Sequence, residues 1–147
     1  MLRRLPVLSR AAFLLAATML PVNAIAAEEG ESPLSVPGTE TVTTAEAYRL
    51  HQAGVTFVDV RNPRLYARRH IPGAHHLDLY TDFSKATLAA IVAPDQPVVL
   101  YCSGIKCGRS STAAEFAVDW GHTAVKYFRE GIVGWRDAGH PMVEKSP

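Results

Sequence analysis

The sequence predicts an α/β domain: a central, mostly parallel β-sheet with helices on both faces. Three observations lead there. Strand-length apolar runs alternate with helical segments along most of the chain. The most apolar run, Pro97-Val98-Val99-Leu100-Tyr101, is too uniform for a half-exposed edge, so it belongs in the middle of a sheet covered on both sides. A glycine-containing loop then leads from that run straight into a helix. The 147 residues, 48% hydrophobic and 20% charged, leave room for one domain.

Residues 1–26 read as a secretory signal peptide. Arg3, Arg4 and Arg10 precede the apolar run Ala11 to Leu20, which is followed by Pro21 and the small-residue stretch Ala24-Ile25-Ala26. The run is about half the roughly 20 residues needed to span a bilayer, so no stable membrane anchor is expected. Export to a bacterial periplasm follows, with cleavage after Ala26. Losing three arginines leaves 12 basic against 14 acidic residues, a mildly acidic mature chain. No basic stripe argues for nucleic acid. Residues 27–40, rich in acid, Ser, Pro and Gly without an apolar period, read as a flexible tether. The domain is expected over 41–145.

Thr43 with Glu46 is a capping-box pattern that opens a first helix, and Gly54 stops it. Val55 to Val60 is a buried strand, Pro63 to Arg69 one or two helical turns, and Ala74 to Leu79 a short strand. Lys85 to Val92 is a helix ended by Pro94. After the central strand, Ser110 is expected to cap a helix reaching Trp120, with Gly121 just past its end. Thr123 to Phe128 is the last strand, and Gly134 to Ala138 a closing helical turn.

The chemistry points to the loop Cys102-Ser103-Gly104-Ile105-Lys106-Cys107-Gly108-Arg109. It leaves the C-terminal end of the central strand, the edge where open parallel sheets bind ligands. Backbone N–H groups and the positive end of the helix dipole converge there, and Lys106 and Arg109 add charge. An anion fits, and so does a thiolate. Cys102, on the floor of the loop, is therefore expected to be ionised near neutrality and nucleophilic. Ser103 to Arg109 would bind substrate. Arg109 at a helix start opposes the dipole unless an anion is present. Cys107 is open between three roles: resolving an oxidised Cys102, relaying sulfur, or bridging Cys102 in a disulfide that silences the site. Simple loop packing is the alternative.

Four blocks carry a resemblance: Asp59-Val60-Arg61, His70-Ile71-Pro72-Gly73-Ala74, the Cys102 loop running into Arg109-Ser110-Ser111-Thr112-Ala113-Ala114, and Glu130-Gly131 followed by Trp135, Gly139 and Pro141. In this order they resemble the rhodanese, or sulfurtransferase, family. The resemblance implies a rhodanese-like fold and a persulfide on Cys102. The chain departs from the family pattern at several points. Six residues separate Cys102 from Arg109 where four are usual, Leu65 stands where an acid is common, and Arg69 replaces a glycine. The spacing Cys102, Cys107, Ser110 is similar to a Cys-x-x-x-x-Cys-x-x-Ser subset of the family.

Structural readings suit the remaining polar residues. Asp59 and Arg61 should form an ion pair pinning the turn around His70, and His70 should satisfy backbone groups. His75 and His76, adjacent on a strand, point to opposite faces and do not make a metal site with the cysteines. The expected function is a periplasmic sulfurtransferase that needs no cofactor. It would take a sulfane sulfur from thiosulfate or a persulfide and pass it to a thiol or cyanide-like acceptor, a partner protein among the candidates. The alternatives are a redox or binding module with a Cys102–Cys107 disulfide, and a cysteine phosphatase or arsenate reductase.

Overall fold

The computed structural model describes residues 30–145. The expected leader, residues 1–26, lies outside them, as do the first three tether residues. Five parallel strands form the main sheet: β1 (Glu40–Thr41), β2 (Thr56–Asp59), β4 (His75–His76), β5 (Val98–Tyr101) and β6 (Val125–Phe128), in the order β1-β6-β5-β2-β4. A short antiparallel pair, β3 (Arg69–His70) with β7 (Val143–Glu144), sits apart from it. The helices are α1 (Thr44–Gln52), α2 (Pro63–Arg68), α3 (Lys85–Ile91), α4 (Arg109–Asp119) and α5 (Gly131–Asp137).

The period-two alternation of strand side chains divides the core into two layers. Val58, Val98, Leu100, Val125 and Tyr127 face a cluster that includes Leu88 of α3 and Ala113, Ala114 and Ala117 of α4. Phe57, Val99, Tyr101 and Phe128 face Ala47 of α1 and Ile132 and Trp135 of α5. All four residues of β5 are buried, which explains its unbroken apolar run. Each such side chain contributes about 1.5–3 kcal/mol on burial. Among the described residues no helix is long and apolar enough to cross a membrane.

The chain runs outward from β2 to β4, then returns to β5 on the other side of β2 and continues outward to β6. The order therefore reverses between β2 and β5, and their C-terminal ends, carrying Asp59 to Arg61 and Cys102, flank the crevice where such sheets place ligands.

Three expectations need correcting. The described part of the expected tether is packed, not free: Val36 is buried in the core, Ser32 is buried, and the Tyr127 hydroxyl donates to Pro33 O at 3.1 Å. Arg129 adds bonds to Ser32 O (3.1 Å) and to Glu31 (2.7 Å), and Glu40–Thr41 joins the sheet edge as β1. Ser110 is not the cap of α4. That position is Gly108, which makes no side-chain cap, because the Ser110 hydroxyl lies within the first turn and turns to sulfur. Finally, α5 starts at Gly131, three residues before the expected Gly134, because its first free amides find carbonyl partners in the Cys102 loop. The Thr43–Glu46 capping box is present as expected.

Candidate active site

The Cys102 loop is held from three sides. From α5, Ile132 N–H donates to Cys102 O and Val133 N–H to Ser103 O, both at 3.0 Å. Gly131 permits this approach: its φ is +56°, and a Cβ there would lie 2.4 Å from Cys102 O. From the N-terminal segment, Ser32 donates to Ile105 O through its backbone N–H (2.7 Å) and its hydroxyl (2.9 Å). Inside the loop, Cys107 N–H donates to Gly104 O at 2.9 Å. The result is a pocket of about 360 Å³ lined by Ser103 to Cys107 and by Val133.

The two cysteines differ sharply, and both are free thiols. Cys102 is fully buried against the α4 side of the core. Its Sγ donates to Cys107 O at 3.0 Å and lies 3.2 Å from Ser110 Oγ. The hydrogen bond shared with the Cys107 thiol, together with burial, pushes the Cys102 thiol well up, although Ser110 opposes this through its hydroxyl and amide. Cys107 is half-buried and lines the pocket. The hydrogen bond from Cys102 holds it down to about 5 against the cost of burial, helped by the amides of Ser103 and Arg109 and by the Arg109 charge. The two thiols are thus pushed in opposite directions, Cys102 up and Cys107 down. Cys102, the expected nucleophile, is the buried sulfur of the two, and Cys107 is the one that lines the pocket.

Arg109 is engaged elsewhere. Its Nη1 donates to Asp78 Oδ1 (2.9 Å) and to Val60 O (3.3 Å), and its guanidinium lies 4.3 Å from the Tyr80 ring centroid. Asp78 therefore answers the conflict between this cation and the dipole of α4, a partner that sequence reading missed because it lies 31 residues upstream. Lys106 and Ile105 are exposed at the loop tip, Ser103 and Gly104 form the pocket wall, and Gly108 ends the loop as the cap of α4.

Asp59 and Arg61 form the expected pair. Arg61 Nε and Nη2 reach the buried carboxylate at 2.5–3.1 Å, and Nη2 also donates to Arg69 O at 2.7 Å, fixing the chain just before His70. His70 Nδ1 bonds Tyr66 O at 2.9 Å and the ring stacks on Tyr66, whereas His76 Nε2 bonds Arg61 O and His75 is exposed. Among the described residues no group of three or more His, Cys, Asp or Glu side chains is placed to hold a metal ion.

Residues 43–138 match the Rhodanese-like domain model. The chain is 37% identical over 109 residues to the HTH-type transcriptional regulator Rv0324 of Mycobacterium tuberculosis, covering 74% of this chain but 46% of that protein, so it spans less than half of that relative. Among solved structures it is similar to the BH2092 protein of Bacillus halodurans (TM-score 0.64, 23% identity, 71% of this chain and 77% of that one). It is also similar to RPA3614 of Rhodopseudomonas palustris, a protein of unknown function described as a possible tyrosine phosphatase (TM-score 0.55, 33% identity, 71% and 85%). A third is the polysulfide-sulfur transferase homodimer of Wolinella succinogenes (TM-score 0.58, 23% identity, 74% and 81%). With the family matched across most of the folded region and the same α/β architecture in these structures, the chain belongs to the rhodanese-like family.

Proposed function

We propose that this domain is a sulfurtransferase that takes up sulfane sulfur at Cys107 and shelters it on Cys102. One observation carries the reading: Cys107 lines the pocket beside a buried Cys102, whose Sγ donates to the Cys107 carbonyl at 3.0 Å. The Cys107 thiolate attacks the outer sulfur of thiosulfate or a persulfide. The S–S bond of the donor breaks, sulfite or a thiolate leaves with the electron pair, and Cys107 carries a persulfide anion. Cys102 attacks the outer sulfur and passes its own proton to it in the same step, because burial keeps its thiol protonated until then. The S–S bond to Cys107 breaks, producing a Cys102 persulfide and restoring the Cys107 thiolate. Atoms and charge balance without an added oxidant or cofactor. The amides of Ser103 and Arg109 serve the Cys107 thiolate, and the Ser110 hydroxyl and amide serve Cys102. A periplasmic setting, with thiosulfate as donor, belongs to the same reading and rests on the expected leader.

The phosphatase alternative calls for a guanidinium closing over a tetrahedral oxyanion, and Arg109 is already engaged by Asp78, Val60 O and Tyr80. The test is intact-protein mass after thiosulfate or polysulfide treatment of reduced wild type, Cys102→Ser and Cys107→Ser. Wild type should gain one sulfur, Cys102→Ser should hold it transiently on Cys107, and Cys107→Ser should label at least tenfold more slowly. Labelling of Cys107→Ser at the wild-type rate would refute the order of events; no adduct on any variant would refute sulfur transfer.

A further inference from the structure

A second cavity, about 210 Å³, opens on the same sheet edge and is lined by Arg61, Leu65, Arg68, Arg69 and Arg136. Its four arginines come from the end of β2, from α2, from β3 and from α5. Their compensation is incomplete. Asp59 occupies Nε and Nη2 of Arg61, and among the described residues Arg61 Nη1 makes no hydrogen bond, although the side chain is only 4% exposed. Arg69 reaches Glu144 only at 3.7 Å, and that carboxylate is more than half exposed. Arg136 is bound to its neighbour Asp137 at 2.6 Å, with both side chains about half exposed. Arg68 forms no ion pair among the described residues. Leu65, which also lines it, supplies no carboxylate. Like charges lining one cavity repel one another unless an anion joins them, and planar guanidinium groups suit carboxylate oxygens in pairs.

The cavity also has an address. Arg136 lies three residues after Val133 on α5, so the two share a helix face with Cβ atoms roughly 5–6 Å apart. Val133 lines the loop pocket that holds Cys107. The arginine cavity is therefore one helical turn from the pocket where sulfur chemistry is proposed.

We infer that the Arg61–Arg68–Arg69–Arg136 cavity binds the carboxylate of the sulfur acceptor, making that acceptor a small carboxylate-bearing thiol. This rests on the sulfur-transfer reading above. With its carboxylate held, the thiolate of the acceptor attacks the outer sulfur of the protein persulfide. A new S–S bond forms on the acceptor, the cysteine sulfur leaves as thiolate, and the acceptor departs as a persulfide.

Two measurements on the full domain test it separately from the sulfur chemistry. Succinate, which carries no sulfur, is titrated against 15N-labelled protein while the arginine side-chain Nε–H signals are followed. Signals of Arg68, Arg69 and Arg136 should shift in a saturable way, and Arg69→Ala should weaken binding at least fivefold. Transfer to mercaptosuccinate and to uncharged 2-mercaptoethanol is then compared in wild type, Arg68→Ala and Arg69→Ala. The variants should raise KM for mercaptosuccinate about tenfold and leave 2-mercaptoethanol unchanged. Absence of succinate shifts, or equal losses for both thiols, overturns the inference. Shifts with a poly-glutamate peptide but none with succinate also overturn it and assign the cavity to an acidic protein. Succinate binding without transfer to any thiol would retain the carboxylate site and reject the sulfurtransferase.

Discussion

The Cys102 Sγ donates to the carbonyl oxygen of Cys107 at 3.0 Å, so the buried sulfur keeps its proton, while the Cys107 thiol is held down to about 5. A thiolate is the reactive form of cysteine, which makes this division measurable. Alkylation of Cys107 should rise with pH through a midpoint of about 5 and be at its plateau by neutrality, because the thiolate is present above that value and lost below it. Cys102→Ser keeps a donor and should leave the midpoint low. Cys102→Ala removes the donor, moves the midpoint toward the ordinary thiol range and slows alkylation at pH 6 by roughly tenfold or more. An ordinary midpoint in wild type would defeat the assignment.

Asp59 neutralises Arg61 where water is excluded. Asp59→Ala leaves a buried cation without its partner and should cost about 3–5 kcal/mol in denaturant unfolding, since the surviving charge keeps its desolvation penalty. Replacing both residues together by apolar side chains should cost clearly less. Equal costs for the single and double variants would show that the pair is not coupled.

Gly131→Ala combines a left-handed backbone with a Cβ placed 2.4 Å from Cys102 O. The three nearest atoms, Cys102 O, Gly104 N and Ser103 C, are all backbone and cannot swing away. Destabilisation of about 3 kcal/mol or more is expected, with loss of Cys107 reactivity as the loop is displaced. Gly139→Ala is the control: it has a positive φ but open space around it, and should cost only about 1 kcal/mol. Similar costs at the two positions would argue against close packing at Gly131.

The contact between Ser32 and Ile105 predicts that the N-terminal segment stiffens the loop. Deleting residues 1–35 should raise amide hydrogen exchange at Lys106 and Cys107 about tenfold or more and leave β5 protected. Unchanged exchange at the loop would mean that α5 alone holds it.

Local signals were readable in the sequence. Thr43 and Glu46 announce the start of α1 because both halves of a capping box lie within one turn. Val98 to Tyr101 announces a central strand because burial on both faces removes any alternation. The Asp59–Arg61 pair was legible for the same reason, being two residues apart. What escaped depends on distant partners. Ser32 and Ile105 are 73 positions apart, Pro33 and Tyr127 94, and Arg109 and Asp78 31. A segment of Ser, Pro, Gly and acid looks unstructured until the surface that receives it exists. The hydrogen bond from the Cys102 thiol to the Cys107 carbonyl is likewise a property of the loop's curl, which spacing alone does not specify.

The carbonyls of Cys102, Ser103 and Ile105 are each claimed by a donor outside the loop. In a trans peptide the next N–H points the opposite way, so anchoring these oxygens fixes the directions of the Ser103, Gly104 and Lys106 amides in the loop. The attraction for an anion is thereby made from immobile dipoles, which counterions in solution screen far less than they screen free surface charge. Chemistry at this loop should accordingly persist in concentrated salt, as that of a centre relying on exposed lysines would not.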